Sequence, residues 1–172
     1  LNHINVKNED GVSYLQAMSP VDCIFLDPAR RNEHGGKTVA ISDCEPDVAE
    51  LEELLLNKAG QVMVKLSPML DLSLALKELQ HVQEVHIISA NNECKELLLI
   101  LGQASVEEIS IHCVNLPTKG TQEEQHFVFT REQEQRSECN YTDTLENYLY
   151  EPNASLLKAG AFLSLIHISE PT

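Results

Sequence analysis

With 172 residues, 42% of them hydrophobic and 23% charged, the chain is long enough for a packed core and too apolar for wholesale disorder. A formal net charge of −15, from 27 acidic and 12 basic residues, argues against unspecific adhesion to nucleic acid or an anionic membrane and leaves only local basic sites. No apolar run reaches bilayer-spanning length, and the five cysteines, odd in number and without a C-x-x-C spacing, are expected to be free thiols in a reducing cytoplasm.

In chain order, residues 4–6 (INV) suit the end of a short strand, and Val12, Leu15 and Met18 suit a helix over about 10–18. The stretch VDCIFLDPARRNEHGG (21–36) then begins as an apolar strand and stops at Asp27-Pro28. Pro28 lacks an N–H and biases Asp27 away from the α region, so the chain is expected to leave the sheet extended. After a polar loop (32–38), Ser42 and Glu45 form a capping-box pattern ahead of a helix over about 47–58. Its apolar face would be Val48, Leu51, Leu54 and Leu55, with Gly60 as the C-terminal glycine. QVMVKLSP (61–68) is a second buried strand ending in a proline. Asp71 can cap a helix carrying Leu72, Ala75, Leu76 and Leu79, and EVHIISA (84–90) is the next strand.

Asn91-Asn92 between two apolar runs suits a tight hairpin, hence an antiparallel strand at the sheet edge; the alternative is a helix over 93–101, since Lys, Glu and Leu favour one. Two more strands, within 107–116 and 125–130, are joined by a polar loop. The charged run 131–143 is expected to be an exposed linker, and 148–162 (YLYEPNASLLKAGAF) opens a further element. There are no internal repeats, and the sequons at Asn140 and Asn153 carry no meaning in a cytoplasmic protein. Strands alternating with helices of about ten residues predict βαβ units, an α/β fold and a mainly parallel sheet.

Asp27 is the first candidate functional residue, because open α/β sheets place ligands at the carboxyl ends of their strands. The bland alternative is that Asp27-Pro28 merely ends a strand and that Arg30-Arg31 is a solvated pair. As a local basic site, Arg30 and Arg31 could stack on a base or pair with a phosphate. Lys65, in an otherwise apolar strand, must reach water or a partner at the strand end, either by snorkelling or by touching substrate. Ser67 and Pro68 should flank the same crevice. GGKT (35–38) is not a phosphate loop, because Arg31 stands where that motif needs a glycine; His34-Gly35-Gly36 is better taken as a flexible turn over the site. No Ser-His-Asp or Cys-His arrangement is evident, the seven histidines show no ligand spacing, and no metal is implied.

The segments FLDPARR…HGGKT, VKLSPMLDL, NNECKELLL and YEPNASLLKAGAF span most of residues 4–162. As a set they resemble class I S-adenosylmethionine-dependent methyltransferases, of the bacterial subgroup whose methyltransferase domain is joined to a THUMP-like domain. The resemblance implies a Rossmann-like methyltransferase sheet, mainly parallel with an antiparallel edge hairpin and here missing its N-terminal strands. It also implies S-adenosyl-L-methionine as cofactor, RNA as substrate, and no membrane partner. Asp27 and Pro28 would face the methyl group, with Asp27 also beside the cofactor. Arg30 and Arg31 would serve catalysis and substrate binding, and Lys65 and Ser67 substrate binding. Asp10, with Glu9 as its rival, would accept a hydrogen bond from the cofactor's adenine, although an N-cap explains an aspartate there equally well.

Nucleic-acid amino methyltransferases of this type carry Asp/Asn-Pro-Pro and an aromatic residue; here Ala29 and Arg30 take the last two places. The alternatives are a non-catalytic Rossmann-like scaffold or RNA-binding module that has lost transfer activity, and a different Rossmann-like enzyme. The implied division is 1–116 as the C-terminal part of the methyltransferase domain, 117–147 as an extra strand and linker, and 148–162 as the start of a truncated THUMP-like domain. Residues 163–172 resemble a translated sequencing adapter, with the reading frame expected to break after about Phe162. The glycine-rich cofactor loop and the ribose-binding acid are expected ahead of Leu1, so the fragment by itself is expected to be inactive.

Overall fold

The structure, a computed structural model, describes residues 3–30, 40–117, 123–138, 147 and 151–163, with Arg30 by its backbone alone. Residues 4–6 form no strand: Ile4 and Val6 are exposed, and among the described residues no strand pairs with them. Helix α1 (Gly11–Ala17) starts where Asp10 accepts from the Ser13 N–H at 2.8 Å, and it buries Leu15. Strand β1 (Val21–Leu26) follows. The Pro28 exit is extended as expected, and it enters a short ribbon in which β2 (Ala29–Arg30) pairs antiparallel with β3 (Cys44–Glu45).

Helix α2 (Val48–Lys58) is capped one turn later than the Ser42–Glu45 pattern suggested. Ser42 lies in a 3-10 turn (Ile41–Asp43), and Asp47 accepts from the N–H groups of Ala49 and Glu50. Nor does Gly60 terminate the helix. Ala59 is already extended, and β4 (Ala59–Leu66) begins without a left-handed turn. On α2 the buried residues are Val48, Glu52, Leu55 and Leu56, with Leu51 and Leu54 at the margin. Helix α3 (Leu72–Glu78) is capped by Asp71 as expected and is followed by β5 (Val82–Ala90).

The Asn91-Asn92 hairpin forms, both asparagines adopting positive φ, of 52° and 61°, which a two-residue hairpin turn requires. It leads into β6 (Glu93–Gly102), a strand and not a helix. That strand does not lie at the sheet edge. The order is β1-β4-β6-β5-β7-β8, with β7 (Ser110–Leu116) and β8 (Gln125–Thr130) beyond β5. β1, β4, β5 and β7 run one way and β6 and β8 the other, so the sheet is mixed α/β with a mainly parallel direction. The cause is burial: Leu97, Leu99 and Leu101 on one face of β6 and Ile100 on the other are all shielded, which only an interior strand allows.

Residues 131–136 of the expected linker form α4 (Arg131–Arg136), with Thr130 and Gln133 closing a capping box and Arg136 paired to Glu132 one turn earlier. Helix α5 (Ala154–Ala159), capped by Asn153 and ended by Gly160 at φ 76°, packs on β5, β6 and β7. It brings Leu156 and Ala161 into the core that Val62, Val64, Val85, Ile87 and Ile111 share. On the opposite face of the sheet Phe25, Met63, Lys65, Leu98, His86, His112 and Val128 are exposed or half-exposed, while Ile100 is buried. No described helix is long and apolar enough to cross a membrane.

Candidate functional site

The parallel pair β1 and β4 ends side by side, with Leu26 opposite Val64, so Asp27 and Lys65 emerge at the same level. Lys65 is opposite Leu98 on β6, and Glu96 lies two residues earlier on that strand, on the same face. The Lys65 ammonium therefore stands between two carboxylates, at 2.9 Å from Asp27 Oδ2 and 3.4 Å from Glu96 Oε2. Its hydrogen bond to Asp27, followed by the charge of Glu96, raises its pKa above the ordinary 10.5 against the opposing effect of burial, so it is a cation throughout the neutral range.

These groups line a cavity of about 350 Å³ at the carboxyl ends of β1 and β4. Pro28, Ala29 and Cys44, from the β2–β3 ribbon and its approach, form one wall; Ser67, Pro68 and Leu70 form the other; Lys95 and Glu96 close it from β6. The Ser67–Leu70 wall is a hydrogen-bonded turn: the Leu70 N–H donates to the Ser67 carbonyl at 3.0 Å and the Met69 N–H to the Ser67 hydroxyl oxygen at 3.2 Å. Lys158 on α5 braces it by donating to the Leu70 carbonyl at 2.5 Å.

Asp27, Pro28, Lys65 and Ser67, all singled out in the sequence, are thus brought together. Asp10 is not among the lining residues. It is exposed, follows no strand, and has its carboxylate engaged with the first turn of α1, which lowers its pKa chiefly through the Ser13 backbone bond. Arg30 has its backbone in β2 beside the cavity wall; its side chain, together with Arg31 and the 34–36 turn, lies outside the described residues. Glu96 and Lys95 were missed. Nothing in a lone E-C-K-E run announces that β6 will be inserted next to β4, although a lysine inside the apolar run V-M-V-K-L does signal that Lys65 must reach water or a partner.

Residues 148–168 match the model of a family described as a ferredoxin-like domain. No curated protein matches the chain. Among solved structures the chain is similar to a protein of Porphyromonas gingivalis W83 named as a candidate methyltransferase, with 40% sequence identity and a TM-score of 0.74. The similarity covers 86% of this chain and 36% of that protein, so the chain spans little more than a third of its relative's length.

Proposed function

We propose that this chain is part of an S-adenosyl-L-methionine-dependent methyltransferase of Rossmann-like build, acting on RNA, and that the Asp27–Lys65 cavity is where the methyl acceptor is held. The observation that carries this reading is the Asp27 carboxylate fixed by Lys65 at the carboxyl ends of two adjacent parallel strands, in a chain 40% identical to a protein named as a candidate methyltransferase. A cavity of about 350 Å³ lies at the lower end of the range of small-ligand sites. Its charged and hydroxyl-bearing lining suits the polar end of a cofactor or an acceptor group better than an apolar ligand.

The methyl donor supplies a sulfonium leaving group, so the chain's own task is positioning. Asp27 would accept a hydrogen bond from the acceptor's N–H or O–H. Pro28 fixes the direction of the loop, and Lys65 holds the carboxylate in one place. Arg30, whose backbone lies in the ribbon beside the cavity, and its sequence neighbour Arg31 would pair with RNA phosphates, Arg being suited to that by its planar fork. A role for Asp10 at the adenine would have to be added to its cap. The test is transfer of a labelled methyl group from S-adenosylmethionine by the whole protein that contains this chain, to RNA and in parallel to DNA. Labelled RNA supports the reading. RNA binding without transfer would favour the non-catalytic scaffold.

A further inference from the structure

Away from the Asp27 cavity, the open face of the sheet carries a second cluster of chemistry-bearing groups. Glu84 and His86 are two residues apart on β5, so both side chains point to the same face. The parallel register sets His86 directly opposite His112 on β7. One ligand atom from each of Glu84, His86 and His112 lies within 4.8 Å of the other two. We propose that Glu84, His86 and His112 form a binding site for a divalent first-row transition-metal ion, with water in the remaining position.

The donor set is the reason for that class of ion. Two imidazoles and one carboxylate are borderline ligands that suit zinc and its neighbours, whereas magnesium and calcium ask for oxygen alone. Three protein ligands on one side leave a coordination position open. Bonds of about 2.1 Å in a tetrahedral shell would set the ligand atoms roughly 3.4 Å apart. The Glu84 Oε2 and His86 Nε2 atoms, now at 2.8 Å, would part slightly, and the ion would take the place of the proton they share. The His86 and His112 rings are stacked at 4.4 Å with an angle of 14° between them. One ring must therefore turn about χ2 for both lone pairs to converge, and that torsion is soft.

The outer contacts agree. His112 Nε2 lies 3.1 Å from the Ser110 hydroxyl, a contact that fixes the orientation of the ring. His126, stacked on the other side of His112 at 5.7 Å, lies outside the triad. Lys65 and His86 belong to one cross-strand row with Leu98 between them, two strand spacings or roughly 10 Å apart, so the proposed ion would be distinct from the Asp27–Lys65 pair.

The experiment is titration of the chelator-stripped chain, its accessible thiols alkylated, with Zn²⁺ by calorimetry and with Co²⁺ by visible absorption. The expected result is saturable binding of a single ion, with Co²⁺ ligand-field bands and no sulfur charge-transfer band. His86→Ala and His112→Ala should each weaken binding by more than about a hundredfold, the upper end of what loss of an outer partner such as Ser110 costs, and Glu84→Gln by about tenfold. His126→Ala should leave the affinity unchanged. If His112→Ala fails to fold, His112→Gln, which keeps the volume and a hydrogen-bonding end, carries the same expectation. No saturable binding by the wild-type chain, or wild-type affinity in the His112 and His86 variants, would overturn the site.

Discussion

Lys65 is hydrogen-bonded to Asp27 and faces the charge of Glu96, and both contacts raise its pKa above 10.5. A base with a raised folded-state pKa contributes stability that is fully present below the unfolded value and is lost as pH climbs through the folded one. Wild-type stability in urea should therefore decline above pH 10.5, and the decline should be smaller in Lys65→Met. Asp10 makes a different kind of statement. Its contacts are those of a helix cap, so Asp10→Ala should lower the urea midpoint with an unchanged slope. Burial, followed by the neighbouring Cys94, drives the Cys113 thiol to about 12, and its Sγ lies 3.6 Å from the Ser155 carbonyl. In the folded chain Cys113 and the buried Cys44 should resist iodoacetamide while exposed Cys23 reacts, as peptide mapping after brief labelling would show. Equal labelling of Cys113 and Cys23 would mean that α5 does not stay seated on β7.

At the scale of elements, Glu52 ties α2 to the junction of α3 and β5. It is almost fully buried and accepts from the N–H groups of Gln80, at 3.0 and 3.1 Å, and of His81, at 2.8 Å, with His81 Nδ1 at 3.3 Å. Removing it leaves two part-buried donors without that partner. Glu52→Ala should therefore cost about 3 kcal/mol, and Glu52→Gln, which keeps an accepting oxygen, distinctly less, by urea denaturation. Glu52 also marks where reading the sequence stopped short. Its partners lie 28 and 29 residues away, and a helical pattern of leucines gives no hint that an acid will be drawn inward. Local signals were legible at some single positions, since Pro28 sent the chain out extended, Asp71 started α3 and Asn91-Asn92 made the turn, but not at Gly60 or in the Ser42–Glu45 pattern. The place of β6 was not legible, because strand order is decided by which strands can shelter Leu97, Leu99 and Ile100, a property of the assembled sheet.

At the scale of the molecule, one sheet supports two separate groups of charged and polar side chains. The first was half visible in the sequence: strands that end in Asp27-Pro28 and in Lys65-Leu66-Ser67-Pro68 could be expected to meet, and they do. The second, Glu84 with His86 and His112, depends on the register between β5 and β7, which no spacing along the chain reveals. The proposed acceptor site centres on Asp27. Its most direct test is single-turnover transfer of a labelled methyl group to RNA by the whole protein carrying Asp27→Ala, measured beside a titration of S-adenosylmethionine. Because a positioning contact counts chiefly in the transition state, transfer should fall by roughly a hundredfold or more while cofactor affinity changes by only about threefold. Wild-type transfer by the Asp27→Ala protein would contradict the assignment.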